Sequence, residues 1–169
     1  KYIGSDADWA TAEQAIIDSL LDNDLLIFNR EQMIDEEVLR CRNATTFESR
    51  YLRKGFDQPI SVVRILDSRR ENFKLSKAYE HKVYVINVIT APEIEMLIIF
   101  SEDKYKEFKK SGKKPSEYCK QDLKMHEVKA YRFVKAYFAD IDKLIVAIKR
   151  YAEYSKVAKD EVTLLDILK

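Results

Sequence analysis

Residues 83–90, VYVINVIT, constrain the fold more than any other stretch of the chain. The run is short, rich in β-branched side chains and almost continuously apolar, so it reads as a strand. A strand without polar alternation predicts burial on both faces, as in the middle of a parallel sheet. A parallel sheet needs crossover connections, and the rest of the sequence supplies helical patterns for them. SVVRILD (Ser61 to Asp67) is a second β-branched run, and KYIG and LLIFN (Leu25 to Asn29) are shorter candidate strands. Between them, WATAEQAIIDSLLDN carries Ala12, Ala15, Ile16, Ser19 and Leu20 on one helical face, with Asn23 as its stop.

REQMIDEEVLRC is expected to form an amphipathic helix with Met33, Ile34, Val38 and Cys41 inward. Residues 43–59 read as a short helix and a loop closed by Pro59, and part of SRRENFKLSKAYEHK as helix. A further helix is expected from APEIEM to Gly112, with Pro92 in its first turn. Pro115 opens another, and YRFVKAYFADIDKLIVAIKRYAEY has long helical spacing. The expected fold is therefore α/β: a mostly parallel central sheet of about four strands, flanked by helices and followed by C-terminal helices. The 169 residues suffice for one domain. EVTLLDILK is an apolar tail that docks on the body or on a partner.

Composition narrows the function. Only three Gly and three Pro disfavour a turn-rich β-sandwich, and neither GxGxxG nor a Walker phosphate loop is present. The 30 basic and 29 acidic residues leave the chain near neutral, so any nucleic-acid site must be a local patch. No apolar run is long enough to span a bilayer, so no membrane partner is expected. Cys41 and Cys119 have no paired spacing and predict free thiols in a cytoplasmic protein, consistent with a start that lacks a basic-then-apolar leader. His81 and His126 fit no ligand or triad spacing.

Ligands of open parallel sheets bind at the carboxyl ends of the strands. Acids cluster near three such ends: Asp6, Asp8 and Glu13 after KYIG; Asp67 and Glu71 after VVRIL; and Glu93 and Glu95 after INVIT. Carboxylates from separate strand ends are the ligands a hard cation such as Mg²⁺ takes. The same acids would serve equally as caps and solvated loop residues. Asp67 lies within RILDSRR, among Arg64, Arg69 and Arg70, so metal ligation and ion pairing compete for it. Upstream, Arg50 and Arg53 interleave with Phe47, Tyr51 and Phe56, a pattern suited to phosphate contact and base stacking. The face carrying Tyr131, Tyr137, Tyr151 and Tyr154 is expected to pack internally or to form a dimer surface.

These stretches resemble a known family. TAEQAII with Glu13, ILDSRREN with Asp67, and TAPEIEMLII with Pro92, Ile94 and Glu95 are similar to motifs of TOPRIM-like domains, in particular the RloB-like proteins of bacterial phage defence and abortive infection. The resemblance covers residues 1–110, leaving 111–169 as C-terminal helices. It implies a Mg²⁺-dependent nuclease or phosphodiesterase acting on DNA or RNA. Glu13, Asp67 and Glu95 would be catalytic and would hold the metal, with Glu71 and Glu93 as further metal ligands, and Arg64, Arg69 and Arg70, with Arg50 and Arg53, would contact phosphate. Arg69 stands where the family's second aspartate falls. That departure favours the alternative, a non-catalytic module binding nucleic acid or protein through a degenerate acidic site.

Overall fold

The computed structural model describes residues 2–4, 11–39, 41, 43–68 and 72–169. Asp6, Asp8, Arg40, Arg42, Arg69, Arg70 and Glu71 lie outside the described residues. Four parallel strands form one sheet in chain order: β1 (Tyr2–Gly4), β2 (Ile60–Leu66), β3 (Val83–Ile89) and β4 (Glu161–Val162). β2 and β3 pair along their whole length, from Ile60 opposite Val83 to Leu66 opposite Ile89. β1 pairs with the first half of β2, and β4 touches β3 only at Asn87 and Val88.

Side chains alternate across a strand, and here both faces of the sheet are covered. Val63, Ile65 and Val88 face the larger core. They pack with α1 (Thr11–Asp22), α3 (Met96–Ser101) and α7 (Ile141–Tyr154), whose Ile16, Leu97 and Ile148 are almost wholly buried. Ile60, Val62 and Val83 face a smaller core closed by Leu39, Leu75, the short helix α2 (Ala44–Phe47) and Leu52. This double cover explains why β2 is apolar nearly throughout. β3 is less buried than its sequence suggests, and Tyr84 is 71% exposed. The two-residue β4 leaves the first half of β3 as an edge.

LLIFN is not a strand of this sheet. Leu26 makes only an isolated antiparallel bridge with Leu168, and Lys169 N–H donates to Leu25 C=O at 2.8 Å. The C-terminal tail therefore docks on the body, burying Leu164 and Ile167. The helix expected over 30–41 is replaced by two 3-10 turns, Arg30–Gln32 and Ile34–Glu36. Asp35 and Glu36 have φ of 55° and 54°. The left-handed region cannot continue a helix. The segment 72–82 contains turns and no helix.

The expected helix after β3 starts late, at Met96, and breaks at Asp103 (φ 56°) before α4 (Tyr105–Ser111). Gly112, at φ 67°, ends α4 in the left-handed conformation glycine adopts without cost, and Pro115 opens α5 (Pro115–Gln121). The last helical run divides into α6 (Tyr131–Tyr137) and α7 where the Asp140 side chain accepts from the Asp142 N–H. α6 is tied to α1 through Asp18 and Asp22. Tyr131 donates to Asp18 at 2.8 Å, Arg30 bridges both acids, and Lys135 pairs with Asp22 at 2.7 Å.

Tyr151 packs inward and donates to Ala91 C=O, while Tyr154 lies against Phe100 and Tyr105. Leu144 is fully buried in the main core. Leu144→Ala is expected to cost about 2–5 kcal/mol, read as a fall in the urea midpoint at unchanged slope. Among the described residues no helix is long and apolar enough to cross a membrane.

Candidate acidic site

Three of the expected acids follow the first three strands in turn. Glu13 lies in the first turn of α1, Asp67 directly follows β2, and Glu95 immediately precedes α3. Their environments differ. Glu13 is 6% exposed and Glu95 2% exposed, whereas Asp67 is open to solvent. The walls around the inner pair are apolar: a small void beside Glu95 is lined by Ala12, Ile16, Ile94, Ile98 and Val128. Water cannot solvate a carboxylate there, and ionisation is penalised accordingly.

Burial pushes the Glu13 carboxyl up to about 8, and the negative charges of Glu95 and Asp67 raise it further against an opposing backbone hydrogen bond. Glu95 is also raised, by burial first, with Lys129 pulling the other way. Lys129 Nζ stands 3.3 Å from Glu95 Oε1. Its own pKa is raised: burial works against the charged form, but Glu95 and Glu93 outweigh it. Glu13 Oε2 is buried and accepts no hydrogen bond among the described residues. An unpartnered buried carboxylate oxygen is costly and calls for a proton or a cation.

Of the other expected ligands, Glu93 alone is among the described residues. Glu93 is half-buried and accepts from the Ser116 N–H at 2.9 Å, in the first turn of α5. It acts on Glu95 and Lys129 through its charge. Glu71 lies outside the described residues.

Among the described residues, the expected arginines Arg50, Arg53 and Arg64 make no ion pair with Glu13, Asp67 or Glu95. Arg64 is 3% exposed and, two residues on from Val62, shares its side of β2, the side of the smaller core. Its Nη1 donates to Asn87 Oδ1 at 3.3 Å, and its guanidinium lies 4.7 Å from the Phe73 ring centroid. A side chain so enclosed is a core cation and does not clamp Asp67. Among the described residues Asp67 makes no ion pair or hydrogen bond. Arg50 and Arg53 are exposed near the amino end of β2. Arg69 and Arg70 lie outside the described residues.

Lys129 is the member of the site that sequence reasoning missed. HEVKAYR carries no motif, and the lysine reaches Glu95 only because the loop before α6 folds over α1 and α3, anchored by the fully buried Val128. The donor set matches a hard divalent cation in kind, since it is all carboxylate oxygen and one oxygen is buried without a partner. Its spacing is wider than coordination. Among the described residues no three His, Cys, Asp or Glu side chains stand close enough together to hold a metal ion. In comparisons with family models, curated proteins and solved structures, the chain matches none.

Proposed function

We propose that this chain is a TOPRIM-like, Mg²⁺-dependent phosphodiesterase or nuclease acting on DNA or RNA, in a role such as phage defence. One observation carries the reading. Glu13 is buried with an unpartnered oxygen, and burial together with the charges of Glu95 and Asp67 pushes its carboxyl up to about 8. Like charges drawn together and desolvated are a stability cost that a bound cation removes. Glu13, Asp67 and Glu95 would hold the ion. When bound, it would supply Lewis-acid stabilisation of a phosphodiester and a hydroxide-like nucleophile at neutral pH.

The chain's own groups have separable parts in this scheme. Exposed Asp67 would meet the entering substrate, while Glu13 and Glu95 are buried. Lys129, through its charge, offsets part of the penalty that burial places on an ionised Glu95. It also supplies a cation that a phosphate could share.

Calorimetric titration with Mg²⁺ or Mn²⁺ tests the proposal. Binding must displace the Glu13 proton. Titrations at pH 7 in buffers of different ionisation enthalpy should therefore show release of close to one proton per ion. The release should vanish above pH 9, and affinity should rise about tenfold per unit of pH below 8. No saturable binding of either ion would reject the reading.

A second reading is a nucleic-acid- or protein-binding module of the same fold with a degenerate acidic site. It is favoured by the Lys129–Glu95 pair, which already places a positive charge among the acids, and by Arg69 in place of an acid. Oligonucleotide binding with silent metal titrations would establish it.

A further inference from the structure

A cleft that Glu13, Asp67 and Glu95 do not line opens beside the amino end of β2. It holds about 710 Å³ and is lined by Arg50, Tyr51, Lys54, Phe56, Asp35 and Asp57, among others. Ile60, the first residue of β2, forms part of its wall. Seven residues of strand, about 23 Å at 3.3 Å per residue, separate that end of β2 from Asp67. An adjoining cavity of about 350 Å³ shares Asp35, Arg50 and Tyr51 and continues towards Gln14 on α1.

Three independent features single out this cleft. The first is its volume, which falls within the range of small-molecule sites. The second is the backbone beneath it. Glu48–Leu52 is a π-helical turn, closed by the Arg53 N–H donating to Glu48 C=O at 3.0 Å. Such wide turns are uncommon and concentrate at functional sites. This one is fixed by buried Leu52 and by the Ser76 N–H donating to the Glu48 carboxylate. It presents Arg50 and Tyr51 on consecutive residues.

The third feature is another part of the lining, where Asp35 is held in the left-handed region with its neighbour Glu36. Paired non-glycine residues there are uncommon, and such strain clusters at ligand clamps.

The lining chemistry is specific. Arg50 and Lys54 make no ion pair among the described residues, so both charges face the cleft or solvent uncompensated. Tyr51 is backed by Phe47, with ring centroids 5.6 Å apart, which makes it a firm platform for a planar ring. Phe56 adds a second apolar surface. Asp35 and Asp57 disfavour a purely anionic ligand such as inorganic phosphate. They suit a ligand that also carries hydroxyl or amino donors. Anion, planar ring and polar donors together describe a nucleotide.

We propose that this cleft binds a nucleotide unit, its base on Tyr51 and Phe56, its phosphate on Arg50 and Lys54, and its sugar or base donors on Asp35 and Asp57. The unit is either a free mononucleotide or one residue of a single strand. The site is independent of the acidic cluster and needs no metal.

Calorimetric titration of the full chain in excess EDTA tests the proposal without engaging the acidic site. AMP, GMP, CMP and UMP are compared with the matching nucleosides, with ribose 5-phosphate and with short single-stranded oligonucleotides. At least one mononucleotide or oligonucleotide should bind saturably, and loss of either base or phosphate should weaken binding about tenfold or more. A preference for the mononucleotide identifies a free-nucleotide site, and binding of the oligonucleotide alone identifies a strand site. R50A and K54A change exposed side chains and should keep the wild-type melting temperature while each weakens binding about tenfold. The proposal is overturned if no nucleotide in either form binds, or if folded R50A and K54A bind as tightly as wild type.

Discussion

Replacing Asp67 by alanine should remove metal-dependent cleavage and leave the protein folded. Asp67 is exposed, follows the last residue of β2 and makes no hydrogen bond or ion pair among the described residues. A surface change of this kind alters stability by only about 0.5 kcal/mol. The melting temperature should therefore move by no more than a degree or two. Its expected effect on activity is much larger. Asp67 is a solvent-facing acid whose charge bears on Glu13. Removing one of three carboxylates that would hold the ion should cost at least ~2.7 kcal/mol of transition-state stabilisation, about a hundredfold in rate.

The measurement is cleavage of labelled single- and double-stranded DNA and RNA with Mg²⁺ or Mn²⁺, wild type beside D67A at matched folded concentration. If wild type cuts none of these substrates, or D67A cuts as fast as wild type, the catalytic reading fails.

The parts of this fold that were legible in the sequence are those where local chemistry and tertiary burial agree. The α1 face of Ala12, Ala15, Ile16, Ser19 and Leu20 is buried as its spacing predicts. Gly112 and Pro115 punctuate α4 and α5 because each residue has a backbone preference that needs no tertiary support. VVRIL and VYVINVI are strands because β-branched runs fit a pleated, covered surface.

Failures occur where an amphipathic pattern was satisfied by something other than a helix. Met33 is buried and Val38 half-buried, as a helix would place them, yet paired 3-10 turns achieve this with Asp35 and Glu36 left-handed. LLIFN has strand composition, but it meets the C-terminal tail, which no local pattern reveals.

The candidate site follows the same division. Strand-end positions made Glu13, Asp67 and Glu95 visible. Burial of two of them beneath apolar walls was not visible, nor was Lys129, which arrives from more than thirty residues beyond Glu95. Arg64 was misread because its parity on β2 matters more than its nearness to Asp67 in sequence. Odd-numbered neighbours such as Val63 and Ile65 face the larger core, whereas Arg64 shares its side with Val62 and the smaller core.

Glu13→Gln should stabilise the protein above neutral pH and lose that advantage in acid. The Glu13 carboxyl has a pKa of about 8 in the folded chain against an ordinary 4.5, chiefly because burial disfavours its charge. The folded protein therefore holds a proton that the unfolded chain releases between those values. This linkage favours folding fully below about pH 4.5. It is lost progressively as pH rises to 8 and changes little beyond. Glutamine keeps the shape and cannot ionise, so the variant is spared the loss.

Glu95 and Lys129 titrate in both proteins, so their contributions largely cancel in the difference. Between pH 5 and pH 9 the stability of E13Q relative to wild type should grow by roughly 2–4 kcal/mol. That corresponds to about 5–15 °C in melting temperature for a chain of this size. Thermal melts in EDTA at half-unit pH steps would display the trend. Saturating Mg²⁺ should then narrow the gap at pH 8, because an ion bound by wild type stabilises it by mass action while E13Q binds poorly. A difference that stays constant from pH 5 to 9 would mean that Glu13 is solvated and ionised throughout, and would remove the main physical argument for a cation at this site.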